Sequence, residues 1–206
     1  MKDILLLNIG LNNIYSIYNA LSMFGNVKII NEFNTNNPPN YEVVVIPGVG
    51  SFKTAIELIK KKKFDVLINE ANIKKKKILG ICLGFQILFS HSYEIGFTKG
   101  LGLIDGEIVS FSSKANFIRN IGWLKVKFKA NKDSKYEPLL KDKFFYHIHS
   151  FFLSGVNQKH ILTLSEVNNF TFTSSISFNN ITGVQFHPEK SGKNGLNFLK
   201  GFINDF

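Results

Sequence analysis

The sequence predicts an α/β fold: an open, mostly parallel central sheet flanked by helices, flavodoxin-like in plan, with an antiparallel extension in the second half. Three observations carry this. The first half alternates short β-rich runs with segments of helical period. The second half is a series of strand-like runs separated by turn residues. The last segment is again of helical period.

The elements follow in order. "DILLLNI", from Asp3, is a near-continuous apolar run, as expected of a strand buried on both faces. "IYSIYNALSMFG" spaces its apolar residues helically and stops at Gly25. "NVKII" is a second strand, "NEFNTNNPPN" a polar loop, and "YEVVVIP" a third strand entering the turn "PGVGSF". "SFKTAIELIKKKKF" predicts a helix with Ser51 as its N-cap. "KKILGI" is another strand, and "LGFQILFSHS" a helix after it. Beyond these, "GLIDGEIVSF", "GWLKVKF", "FFYHIHSFFL", "HILTLSEV", "FTFTSSISFN" and "ITGVQFH" read as strands, and "GLNFLKGFINDF" as the closing helix.

At 206 residues and 44% hydrophobic, the chain can bury one sizeable core, and the expected organisation is one domain over residues 1–206. There are 25 basic against 15 acidic residues, a net charge of +10. Nearly all the basic residues are lysines, and Arg119 is the sole arginine. Nucleic-acid surfaces rely on arginine forks, so no nucleic-acid partner is expected. The lysine runs Lys60–Lys63 and Lys74–Lys77 flank "FDVLINEANI" and read as a solvated face. An acidic partner or phosphorylated metabolites can use the same charge. A lone cysteine allows no internal disulfide and fits a reducing compartment. The run "ILLL" is too short for a signal peptide's core, and no window reaches membrane-spanning length. The expected location is therefore cytoplasmic, away from membranes.

The lone cysteine draws attention by its setting. A single cysteine is commonly a small buried hydrophobe. Here Gly80-Ile81-Cys82-Leu83-Gly84 has the G-x-nucleophile-x-G form of a nucleophile elbow, a sharp strand-to-helix turn that exposes its central side chain. Such a turn sits at the carboxyl end of a strand, where open α/β sheets bind ligands. A following helix favours the thiolate, and the Leu83 N–H is expected to point at an oxyanion formed on an attacked carbonyl. A thiol nucleophile needs a base. Among five histidines, His187 stands in "GVQFHPEK", two residues before Glu189. On extended chain the two share a face, and Pro188 restricts His187 to extended geometry, so Glu189 can orient the imidazole toward Cys82. His147 and His149 also share a strand face, but no carboxylate or cysteine accompanies them at metal spacing, so neither a metal nor a cofactor is expected.

"PGVGSF", "LGICLGFQILF" and "GVQFHPEKSG", in this order and at these separations, resemble the class I (triad) glutamine amidotransferases over essentially the whole chain. Within that class, "GLGLIDGEIVSF", the Gly122-Trp123 pair, "HSF" at 149–151 and "HPEKSG" are similar to the glutaminase subunits of imidazole glycerol phosphate synthases. The resemblance implies hydrolysis of L-glutamine to L-glutamate and ammonia, and delivery of the ammonia to a (β/α)8-barrel synthase subunit in histidine biosynthesis. It makes Cys82 the nucleophile, His187 the general base and then acid, and Glu189 the orienting carboxylate. Pro47 to Gly50, hence Gly48, Val49 and Gly50, bring the second oxyanion donor after a backbone adjustment, beside that of Leu83. Gln86 and Glu94 match positions that hold the α-amino and carboxylate end of glutamine, and His149 and Ser150 match a motif whose backbone flanks the substrate. Spacing alone leaves Gln86 equally readable as an exposed helix residue and Glu94 as a surface loop residue.

Two segments depart from the family pattern. Asn8-Ile9-Gly10-Leu11-Asn12-Asn13 stands where an Asp precedes Gly-x-Gly-Asn, a replacement that a turn tolerates because Asn accepts positive φ. Arg119-Asn120-Ile121-Gly122-Trp123-Leu124 stands where the family reads Pro-His-Met-Gly-Trp-Asn, close to its synthase. Two other readings stay open: an amidotransferase subunit feeding a different synthase, for instance one that amidates a surface sugar, or a non-catalytic interaction protein on the same fold. The presence of Cys82, His187 and Glu189 argues against the last.

Overall fold

The computed structural model describes residues 1–11, 13–115, 119–129 and 135–204. The first half runs β1 (Asp3–Leu7), α1 (Ile14–Ser22), β2 (Asn26–Ile30), β3 (Val43–Ile46), α2 (Phe52–Lys61), α3 (Phe64–Ile73) and β4 (Lys77–Ile81). A one-turn α4 (Leu83–Gln86) leads into β5 (Phe89–Ser92), β6 (Thr98–Lys99), β7 (Ile104–Ser110), α5 (Phe111–Lys114) and β8 (Asn120–Phe128). The remainder is α6 (Glu137–Leu140), β9 (Phe144–His149), β10 (Phe151–Ser154), β11 (Ile161–Val167), β12 (Phe170–Phe178), β13 (Ile181–Val184) and α7 (Gly192–Asn204).

These strands form one sheet in the order β2-β1-β3-β4-β13-β12-β10-β7-β5-β6, with β11, β8 and β9 branching from β12. Its central part, β2 to β13, is parallel throughout. Antiparallel pairing enters with β12 and extends through β10, β11, β8 and β9. This is the α/β architecture that the sequence predicts. β1 and β3 are buried along almost their whole length because both faces are covered. Leu5, Leu7, Val44 and Ile46 pack under α2 and α3, whereas Ile4, Leu6, Val43 and Val45 pack under α1 and α7. Each fully buried Leu, Ile or Phe contributes roughly 1.5–3 kcal/mol. Among the described residues, no helix is long and apolar enough to cross a membrane.

The structure corrects four expectations. The helix over "LGFQILFSHS" lasts one turn. The carbonyls of Ile87, Leu88, Phe89 and Ser90 then accept from the backbone of Gly100 to Leu103, which draws the chain into β5. A single turn carries little dipole, so the sulfur gains little from the helix. "FFYHIHSFFL" is two strands, broken at Ser150, because β9 pairs with β8 while β10 pairs with β7 and β12. Ser51 occupies the N-cap position of α2 but makes no side-chain cap bond there. The Glu94 carboxylate, far along the chain, accepts from Phe52 N at 2.6 Å instead. Finally, the lysine runs are largely exposed but not merely solvated. Lys63 and Lys75 adopt positive φ at the ends of α2 and α3. Lys62 Nζ donates to Asn8 O at 2.7 Å, and Lys77 Nζ to Phe202 O at 2.8 Å near the end of α7.

The turn after β1 survives its asparagines in a specific way. Asn8 Oδ1 accepts from Gly10 N at 3.1 Å, and Gly10 takes the positive φ of 97°. Asn12 lies outside the described residues.

Candidate active site

β3 and β4 are parallel neighbours, with Ile46 opposite Gly80, so the turns that follow them meet at the carboxyl edge of the sheet. Cys82 stands directly after β4 with φ 52° and ψ −108°, a conformation that costs a non-glycine residue of order 1–3 kcal/mol. The surroundings enforce it. Cys82 N donates to Val184 O at 2.8 Å, and Cys82 O accepts from Phe85 N and Gln86 N, both at 3.1 Å. A Cβ on Gly80 would lie 2.7 Å from Gly84 O, and one on Gly84 only 1.7 Å from Ile46 O. The two glycines are there because backbone passes where a side chain would be.

His187, the expected base, stands three residues beyond β13. His187 has φ −101° and ψ 94°, the extended geometry expected of a residue before proline. Its Nδ1 meets Glu189 Oε1 at 2.8 Å, with both side chains buried. Nε2 is buried, and the Cys82 sulfur acts on the ring both through its charge and as a hydrogen-bond partner. Burial by itself lowers the pKa of His187. The Cys82 sulfur and the Glu189 carboxylate outweigh that and push it up to about 10. Ser191 fixes the segment, donating to His187 O at 2.6 Å and accepting from Tyr146 N at 2.9 Å.

A second pair of histidines lies beside the first. His149 Nδ1 donates to Phe151 O at 2.8 Å, so its Nε2 accepts, and Asn120 Nδ2 lies 3.0 Å from it. His147 Nδ1 approaches the same nitrogen at 3.3 Å. Burial holds both rings neutral: His149 is pushed down to about 3, and His147 well below the usual range, with the neighbouring histidines adding to the effect.

A cavity of about 460 Å³ opens over the sulfur. It gathers Val49, Gly50, Cys82, Leu83, Gln86, Glu94, His149 and Ser150, all expected from the sequence. Gly48, His187 and Glu189 lie outside its lining, the two side chains being buried. Gln86 is not an exposed helix residue. It is buried, and its Nε2 donates to Phe151 O at 3.1 Å and to Gln185 Oε1 at 3.0 Å. Glu94 is more than a surface loop residue, since it reaches the cavity while capping α2.

Sequence reasoning missed several members. Ser51, Arg119, Ile148 and Phe151 also line the cavity. Gln185 Nε2 lies 3.7 Å from the sulfur, and Ile148 O 3.8 Å from it. Gln185 was findable, because it stands two residues before His187 and shares its face on extended chain. Ile148 acts through its carbonyl, which carries no residue signal.

One expectation fails in the form stated. Leu83 N–H does not point at an open oxyanion position; it donates to Gly48 O at 3.2 Å. Val49 N–H in turn donates to Leu11 O at 2.9 Å. Gly48 C=O and Val49 N–H belong to one peptide plane. Rotating that plane withdraws the carbonyl from Leu83 N–H and releases Val49 N–H from Leu11 in a single motion.

Comparison with known proteins shows the family. The model of the glutamine amidotransferase class-I family matches residues 5–205. The imidazole glycerol phosphate synthase subunit HisH 2 of Vibrio vulnificus (strain YJ016) is 35% identical over 204 residues, covering 98% of this chain and 94% of that one. The HisH subunits of Chlorobaculum tepidum and Pyrococcus furiosus are 35% and 36% identical, and cover 94% and 98% of this chain and 95% and 98% of their own. Among solved structures, PurLQS from Thermotoga maritima superposes with a TM-score of 0.76 at 19% identity, covering 100% of this chain and 99% of the other. A crystal structure of a glutamine amidotransferase superposes at 0.72 and 12% identity, covering 98% and 99%. Those two likenesses concern the fold alone. With a strained cysteine turn, a buried histidine–glutamate pair and a family match over residues 5–205, this chain belongs to the class I glutamine amidotransferases.

Proposed function

We propose that the chain is the glutaminase subunit of an imidazole glycerol phosphate synthase, acting in the cytoplasm on L-glutamine and passing ammonia to a (β/α)8-barrel cyclase subunit. The likeness to HisH subunits over nearly the full length supports this reading, and the observation that carries it is Cys82 held strained at the cavity with His187–Glu189 beside it. The Cys82 sulfur attacks the carboxamide carbon of glutamine, forming a C–S bond and a tetrahedral oxyanion. His187 gives its Nε2 proton to the nitrogen, the C–N bond breaks, and ammonia leaves. His187 then takes a proton from water, which hydrolyses the γ-glutamyl thioester to glutamate and restores the sulfur. Glu189 holds the imidazole so that Nε2 is the working nitrogen.

The oxyanion needs donors, and in the resting turn both candidates are occupied. One missing donor costs about 100- to 1,000-fold in rate. Docking of the cyclase is the event that turns the Gly48–Val49 peptide and frees both. Ile121 and Trp123 present about half their surface to solvent on β8, the strand that begins next to Arg119 at the cavity rim. That face receives the cyclase. The test is glutamate release by the chain with its co-purified synthase. Cys82→Ala must abolish it while the complex still turns over with free ammonia. Glutaminase activity near wild type in that variant overturns the reading.

A further inference from the structure

Two charged side chains of opposite sign line the cavity over Cys82: Glu94 and Arg119. The third ionisable neighbour, His149, has its Nδ1 bound to a carbonyl and stays neutral. No lysine joins them, although lysines make up nearly all the basic residues of the chain. Arg119 is exposed at the rim and, among the described residues, forms no ion pair. An amino acid whose side-chain carboxamide reaches the sulfur must leave an ammonium and a carboxylate in the outer cavity. The start of α2 offers the carboxylate no free donor at Phe52, because Glu94 already accepts from that N–H.

We infer that Arg119 is a specificity residue, its guanidinium pairing with the α-carboxylate of glutamine across the cavity from Glu94. The pair then selects a free amino acid over an amide whose α-carboxyl is blocked. This rests on the reading of Cys82 as the glutaminase nucleophile. A charge-assisted hydrogen bond of this kind is worth about tenfold to a hundredfold in binding.

Two reagents on the isolated chain, read by intact mass, separate the possibilities without the synthase. 6-Diazo-5-oxo-L-norleucine carries the glutamine head group; iodoacetamide carries none. Arg119→Gln is expected to slow alkylation of Cys82 by the first about tenfold to a hundredfold at subsaturating reagent, and by the second less than twofold. Arg119→Lys is expected to recover part of the difference. In the complex with synthase, Arg119→Gln is expected to raise KM for L-glutamine with kcat within about threefold. It should also erase most of the preference for L-glutamine over L-glutaminamide. Equal rates in wild type and Arg119→Gln with the diazo reagent overturn the inference while leaving the glutaminase reading intact. Equal slowing with both reagents also overturns it, since Arg119 then supports the thiol and not the substrate. A wild-type Cys82 that reacts with neither native-state reagent removes the glutaminase reading and the inference with it.

Discussion

Two turns leave neighbouring parallel strands, and they are built in opposite ways. The turn at Cys82 is packed solid: a methyl group on Gly80 or Gly84 would strike backbone, and the strained φ of Cys82 persists because nothing around it can yield. The turn at Gly48–Gly50 has room. A Cβ on Gly50 would meet nothing within 4 Å, and one on Gly48 would press on Leu83 Cβ at 3.3 Å and meet Gly84 N at 3.5 Å, far looser than the contacts at Gly80 and Gly84. Its conformation rests on exchangeable hydrogen bonds to Leu11 and Leu83. The proposed nucleophile is fixed, and the peptide proposed to stabilise the charge it generates is left free to turn. Glycine serves both ends, as the residue that lets backbone touch backbone in one turn and as the residue that lets a peptide rotate in the other.

The largest expected effect tests the fixed turn. Cys82→Ala should reduce glutamine hydrolysis by more than about 1,000-fold, measured as glutamate release; His187→Ala should come close to it, and Glu189→Gln should cost less because it misorients the base without removing it. The movable turn predicts the next effect. The isolated chain should hydrolyse glutamine about 100- to 1,000-fold more slowly than the chain with its ligand-bound synthase. A synthase from another organism should stimulate it poorly, given the altered segment Arg119 to Leu124. Full activity in the isolated chain would mean that the turn needs no partner.

Stability separates the two turns more directly. Gly84→Ala places an atom 1.7 Å from Ile46 O and should cost roughly 1–3 kcal/mol or more, lowering Tm by about 2–4 °C for each. Gly48→Ala should hold Tm within about 2 °C while lowering synthase-stimulated activity about tenfold, because it restricts the peptide rotation. Similar losses of Tm in both variants would dissolve the contrast.

The smallest expected effect is in pH. The raised pKa of His187 contributes stability that is complete below about 6.5 and fades as the pH climbs to about 10. The lowered pKa of His149 works the other way. Below about 6.5 the unfolded chain takes up a proton that the folded chain refuses until about 3, so stability falls over that window. His147→Phe should flatten the acid side of a Tm–pH profile by about 2–6 °C, and Glu189→Gln should shift the alkaline side toward neutral pH.

The parallel half of the fold was legible in the sequence because its signals are local. The apolar runs of β1, β3 and β4 and the helical periods of α1 and α2 are short-range patterns, and the elbow glycines flank the residue they serve. The antiparallel half was legible as strands but not as pairings. Nothing in "FFYHIHSFFL" says that its two halves belong to different neighbours, although the break at Ser150 is what delivers His149 to the cavity. The true acceptor at the start of α2 was equally hidden, since Glu94 is 42 residues from Phe52. The occupied state of the oxyanion donors depends on carbonyl positions, for which side-chain identity gives no clue.

Gly48 C=O and Val49 N–H cannot be set independently, since one rigid plane carries both. The proposed oxyanion site is therefore all-or-none, and thermodynamic reciprocity follows. If a docked synthase favours the turned plane, a tetrahedral adduct on Cys82 that needs the same plane must tighten the synthase by the same factor. A stable mimic of that adduct would act as a molecular glue for the two subunits, with a gain in their mutual affinity equal to its own gain in affinity on assembly.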